Sequence, residues 1–209
     1  MGIEERKLRE KEERRNKILE AAKVVFQKNG VDKTSMNAIA EQAELSKGTL
    51  YLYFQDKNEL LISLLQEQHE IILGYIRKAK KQDLNAMEKM KAIENDFMLF
   101  NKKGQNSFSL YLLLDQIPHL IASDKKGILL EYFKIYEIEL AEILEQGKEE
   151  GIFHQNIRTK KTAFLLFMIT TSFIQRIKLM CDALEEEVYD ADEMMEELFQ
   201  LLFIGLIKH

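Results

Sequence analysis

Between residues 46 and 57 the chain gathers side chains suited to the backbone and base edges of a nucleic acid duplex. Ser46 can cap a helix, and the free N–H groups that follow sit at the positive end of the helix dipole, where a phosphate is favoured. Gly48 has no side chain, so the backbone there can come close to a groove. Lys47 can donate to guanine or phosphate, and Thr49 can meet a base edge or a thymine methyl. The hydroxyls of Tyr51 and Tyr53 and the ammonium of Lys57 suit flanking phosphates. Thr34 and Ser35, at the head of a preceding short helix, complete the candidate contact set. The same residues also admit a purely local reading, with Ser46 as a cap and the tyrosines as amphipathic packing.

These residues need a scaffold, and the pattern around them is helical throughout. Ile18, Leu19, Ala22, Val25 and Phe26 form one apolar stripe, and Gly30 after Lys28 and Asn29 is a helix stop. Two very short helices follow, over 35–43 and 46–53, neither stable alone. Ile39, Ala40, Ala43, Leu45, Leu50 and Phe54 supply their inner face, which is the plan of a helix-turn-helix with its second helix turned outward. Asp56 with Glu59, Asn85 with Glu88 and Asp190 with Glu193 have capping-box spacing and open the fourth, fifth and ninth helices. A sixth helix is expected over 107–117, broken near Pro118, a seventh over 124–150 and an eighth over 159–184. The fold class is all-α with about nine helices. The expected domains are a helix-turn-helix domain at 1–57, with a charged N-terminal extension, and a helical body at 58–209.

Composition narrows the function classes. The 209 residues include one proline, nine glycines and one cysteine, which disfavours a turn-rich β-fold and rules out an internal disulfide or a Cys-rich zinc module. Cys181 reads as a small hydrophobe. The longest uncharged run, 162–175, is too short for a bilayer, which needs about 20 residues, and no secretory h-region is present, so the cytoplasm is the expected location and no membrane the expectation. The net charge is −5, yet residues 1–57 hold 12 basic against 10 acidic side chains. A nucleic acid would therefore meet a local surface. The charged run 1–17 reads either as a solvated helix extension or as an arm on DNA phosphates. No phosphate loop, GxGxxG, HExxH or G-x-S-x-G motif occurs, and His69, His119, His154 and His209 lack metal-ligand spacing. No catalytic residue, metal or cofactor is expected.

The stretch 34–57 resembles the DNA-binding motif of the tetracycline-repressor (TetR) family, T-S/T-x-x-x-I-A-x-x-A-G-V-S-x-G-T-L-Y-x-Y-F-x-x-K-x-x-L. Here it is met by Thr34, Ser35, Ile39, Ala40, Ala43, Ser46, Gly48, Thr49, Leu50, Tyr51, Tyr53, Phe54, Lys57 and Leu60. Glu44 stands where glycine is usual and Leu45 where valine is usual. If residue 44 needs a positive φ, the glutamate costs ~1 kcal/mol. The resemblance implies a ligand-responsive repressor that binds a pseudo-palindromic double-stranded DNA operator as a homodimer. It also implies a ligand-binding and dimerisation body behind the DNA-binding helices, and 145–153 is similar to the turn before the penultimate helix of many members. By the same resemblance the last two helices dimerise, through Phe164, Phe167, Thr171, Ile174, Leu198, Phe199, Leu202, Gly205 and Leu206; the alternative is an intramolecular core, and because both helices are apolar on more than one face a shared role is expected. The implied pocket for a small-molecule effector, lipophilic or aromatic, draws on Phe97, Phe100, Phe108, Tyr111, Asp115, His119, Tyr132, Tyr136, Phe167 and Met168. Asp115 and His119, spaced i,i+4, read either as orienting a polar ligand group or as a satisfied or solvent-facing pair. The rival class is a helical ligand-binding or scaffold protein that has lost DNA binding.

Overall fold

The computed structural model describes residues 2–102, 126–183 and 190–208. Eight helices make up nearly all of it: α1 (Ile3–Asn29), α2 (Met36–Gln42), α3 (Lys47–Tyr51), α4 (Lys57–Lys80), α5 (Ala86–Lys102), α6 (Lys126–Glu149), α7 (Thr159–Ala183) and α8 (Ala191–Ile204). Among the described residues the extended pairing is a lone bridge between Phe153 and Ile207. The all-α expectation holds. The sixth expected helix, 107–117, lies outside the described residues. The chain divides into two units, and the division falls inside α4, after Glu67.

In the first unit, the stripe expected on α1 is buried with Ile39, Ala40, Ala43, Leu50 and Phe54. Helices of seven and five residues do not persist alone, so α2 and α3 depend on that core and on their caps. The Ser35 hydroxyl accepts the Ala38 N–H at 3.2 Å, and the Ser46 hydroxyl accepts the Thr49 N–H at 3.1 Å. Asp56 accepts the Glu59 N–H at 2.8 Å, and the Glu59 carboxylate reaches back to the Gln55 N–H at 2.7 Å. Side chains 4–14 of α1 are all exposed. The extension is a solvated helix, anchored where Arg15 lies over the Phe54 ring at 5.3 Å.

In the second unit the remainder of α4 packs with α5 to α8. Asn85 and Glu88 form the complete reciprocal cap, at 3.0 and 2.9 Å. The α6–α7 turn is built around a close approach. The Phe153 ring, fully buried, lies directly on the backbone of Gly147, where a Cβ would stand 2.0 Å from a ring carbon. The N–H groups of Ile152 and Phe153 both donate to the Gly147 carbonyl at 2.9 Å, and Gly151 takes φ 72. The end of the chain docks on this turn through His154 N–H to the Leu206 carbonyl and Lys208 N–H to the Ile152 carbonyl.

Candidate nucleic-acid interface and inner cavity

Of the five residues of α3, only Leu50 is buried; it fastens the helix to the first unit's core. Ser46, Lys47, Gly48 and Tyr51 are exposed, Tyr51 by 44%, and Thr49 and Tyr53 are half-buried. Lys47 lies 5.8 Å from the centre of the Tyr51 ring, and the Ser46 and Thr49 hydroxyls share a hydrogen bond of 2.8 Å. A Cβ at Gly48 would meet nothing of this chain nearer than the Ser46 hydroxyl at 3.9 Å. The fold therefore does not require glycine there, although glycine costs a helix about 1 kcal/mol relative to alanine. Leu52, 83% exposed, sits beside this surface and no sequence pattern marks it; only its apolar type at an outward position could have.

Two residues of the expected contact set face inward instead. Thr34 is 4% exposed and donates to the Gly30 carbonyl at 2.7 Å. The Lys57 ammonium donates to the carbonyls of Val31, Asp32 and Thr34 at 2.8, 3.0 and 3.4 Å. Together they tie the α1–α2 turn to the start of α4, which spends the donors a phosphate would use. Ser35 remains exposed at the head of α2.

The turn between α2 and α3 does carry a left-handed residue. Glu44 has φ 54, and the Leu45 N–H closes back on the Ala40 carbonyl at 2.9 Å, the bond of a Schellman turn. A hydrogen bond and the charge of the Lys17 ammonium, 2.9 Å away, hold the Glu44 carboxyl below the usual carboxylate range.

The second unit holds a partly open cavity of about 70 Å³. Its wall combines Ile72 and Ile76 of α4, Met90, Ile93, Glu94 and Phe97 of α5, Tyr136 and Leu140 of α6, Leu166, Phe167, Thr170 and Thr171 of α7, and Phe199, Leu202 and Phe203 of α8. Of the expected ligand residues, Phe97, Tyr136 and Phe167 line it. Phe100 is buried against Tyr75, Met168 is exposed, and Tyr132 stacks on His69 at 5.2 Å. Phe108, Tyr111, Asp115 and His119 lie outside the described residues. The signal for the missed wall is present on α5: Met90, Ile93, Glu94 and Phe97 fall at i, i+3, i+4 and i+7, an apolar stripe interrupted by one carboxylate.

His69 is fully buried in an aromatic cage, with Phe133, Tyr136 and Phe167 at 5.4 to 6.1 Å beside the stacked Tyr132. Burial lowers its pKa to about 4, so the ring is neutral at pH 7.

The expected dimer residues divide in the same way. Phe167, Thr171, Ile174, Phe199 and Leu206 are buried within this chain, and the Thr171 hydroxyl is used on the Phe167 carbonyl at 2.7 Å. Leu198 and Leu202 are half-buried, while Phe164 and Gly205 are exposed. The outward apolar face of α7 and α8 is carried largely by others: Leu165 (55% exposed), Met168, Ile169, Leu201 (59%) and Ile204 (56%). Each helix is apolar on two faces, and periodicity alone does not say which one looks inward.

Among the described residues no helix is long and apolar enough to cross a membrane. Residues 18–64 match the family model for bacterial regulatory proteins of the tetR family. A fatty acid metabolism regulator protein of Bacillus subtilis is 29% identical over 147 residues, 69% of this chain and 76% of that protein. The transcriptional regulator TtgR of Pseudomonas putida is 26% identical over 183 residues, 84% of this chain and 85% of its own. The solved structure of the fatty acid degradation regulator FadR from Bacillus halodurans superposes with a TM-score of 0.73 at 27% identity, covering 92% of this chain and 95% of that one. The helix-turn-helix geometry of the first unit and the whole-length likeness in fold agree with that match: residues 18–64 carry the DNA-binding segment described by the tetR model of bacterial regulatory proteins, in a chain whose fold is that of such regulators.

Proposed function

We propose that the protein is a ligand-released repressor that binds a pseudo-palindromic operator as a homodimer through the outward face of α3. The observation that carries this reading is Gly48, exposed mid-helix with open space where its side chain would be. A residue that costs helix stability and fills no need of the fold is accounted for by a surface that must approach it closely. Lys47, Thr49, Tyr51 and Tyr53 surround it with donors, Ser35 and Ser46 hold the two helix starts, and Thr34 and Lys57 position the motif rather than touch DNA. Two such helices, roughly 34–36 Å apart across a two-fold axis, would enter successive major-groove faces.

Dimerisation falls to the outward faces of α7 and α8, with Phe164, Leu165, Met168, Ile169, Leu201, Ile204 and Gly205 in place of the buried residues. Their exposure supports this, because a contiguous apolar face of two adjacent helices is unfavourable in water. The effector site is the cavity of the second unit. At about 70 Å³ it is smaller than the roughly 300–1,000 Å³ of sites for drug-sized ligands, so an occupant of that size lodged wholly inside it would push the wall helices apart. Helix α4 contributes Ile72 and Ile76 to that wall and begins at Lys57, which grips the α1–α2 turn. Displacing α4 would change the spacing of the two recognition helices. A hundredfold loss of operator affinity needs only about 2.7 kcal/mol of coupling. The relatives named for fatty acid metabolism and degradation make acyl-chain compounds the first probes of the hydrophobic part of the site.

The test is a gel shift with the DNA upstream of the protein's own gene, across a salt series. Binding should fall steeply as salt rises, and Lys47→Ala and Tyr51→Ala should each weaken it by about tenfold. Unchanged binding by both variants would remove α3 as the contact.

A further inference from the structure

The cavity wall holds a single carboxylate among the described residues, Glu94, half-buried in the middle of the apolar stripe of α5. No described residue gives this carboxylate a hydrogen bond or an ion pair. Burial, and then the like charge of Glu196 on α8, raise its affinity for a proton, against the weaker opposite effect of Lys91 one turn earlier on α5. Two other polar groups of the wall are engaged elsewhere, the Thr171 hydroxyl donating to the Phe167 carbonyl and the Tyr136 hydroxyl to the His69 carbonyl. A carboxylate against such a wall loses solvation that a leucine would not. Two carboxylates near one apolar space also repel a ligand anion. A cation corrects both defects at once, because an N–H donor on a charged nitrogen makes a hydrogen bond to a carboxylate about twice as strong as a neutral pair.

Resting on the effector reading above, we infer that the cavity takes a lipophilic cation, an amphipathic amine whose protonated nitrogen pairs with the Glu94 carboxylate while its hydrocarbon lies against Ile72, Phe97 and Phe199. A fatty carboxylate of the same length is the poorer occupant. The relatives' names thus bear on the chain of the ligand, and Glu94 on its head.

The experiment titrates the full-length protein at pH 7 with n-octylammonium, n-octanol and octanoate, read by ligand-observed NMR. Wild type is compared with Glu94→Gln and Glu94→Asp. Octylammonium should bind at least about tenfold tighter than octanoate. Glu94→Gln should bring that ratio to within about twofold and leave octanol unchanged, while Glu94→Asp, which keeps the charge, should retain the preference. Octanoate binding as tightly as octylammonium, or a preference that survives Glu94→Gln, would overturn the inference. Release of upstream DNA is followed in parallel. A cation preference without release leaves this inference standing and removes the effector role, whereas no binding of any of the three ligands removes both.

Discussion

The two units solve opposite problems with the same secondary structure. In the first, helices too short to stand alone are held by one small core, and the chemistry-bearing residues are pushed outward by what they cannot bury. In the second, helices of 14 to 25 residues carry apolar side chains on several faces, and those faces must be shared between a core, a cavity and an outward patch. The first unit is consequently rigid in its assignments: each residue type has one place. The second is permissive, and only packing decides whether a phenylalanine is core, wall or surface.

That contrast can be tested at glycines first. Gly147 in the second unit has no room, so Gly147→Ala should destabilise by about 4 kcal/mol in urea unfolding, since its Cβ would sit on the Phe153 ring. A loss under about 1 kcal/mol would mean that the turn yields and the second unit is looser than described. The next effect concerns the aromatic cage. His69 has a folded pKa of about 4 against about 6.5 unfolded, so below pH 6.5 the unfolded chain binds the proton and the folded one does not. Stability should fall by about 3 kcal/mol as pH drops from 6.5 to 4, and His69→Phe should flatten that limb. An unchanged slope would place the acid sensitivity elsewhere.

The outward patch comes third. Leu201→Glu should raise the dimer dissociation constant at least about a hundredfold, about 2.7 kcal/mol, with little change in monomer fold. Phe199→Ala should unfold the chain more readily instead, because Phe199 lines the interior. Sedimentation velocity beside urea melts separates the two. The smallest effect returns to the first unit. Glu44→Gly should stabilise by about 1 kcal/mol, because the left-handed backbone at φ 54 suits glycine. Its exposed ion pair with Lys17 offers little in exchange.

The legibility of the sequence follows the same division. Ser35, Ser46, Asn85 and Asp190 cap helices where their spacing predicts, because a cap depends on three or four neighbouring residues. The stripe of α1 and the inner face of α2 and α3 are equally local. Thr34 and Lys57 were misleading, since a polar type near an exposed helix reads as a contact until the turn carbonyls they serve are seen. The left-handed turn at Glu44 was visible as a departure from the usual glycine. On α7 and α8 the pattern marks apolar residues without direction, so Thr171 and Phe199 resemble interface as much as core. Glu94 stood in plain view on its stripe, but its meaning depends on the cavity that five helices build around it.

In the proposed complex α3 offers its backbone at Gly48 to DNA. Fluorescence-anisotropy titration of upstream DNA with Gly48→Ala, beside its thermal unfolding, tests this most directly. The expected result is a melting temperature equal to or slightly above wild type, as alanine favours a helix, with affinity reduced at least about tenfold. A variant that folds as well and binds DNA as tightly as wild type would contradict it.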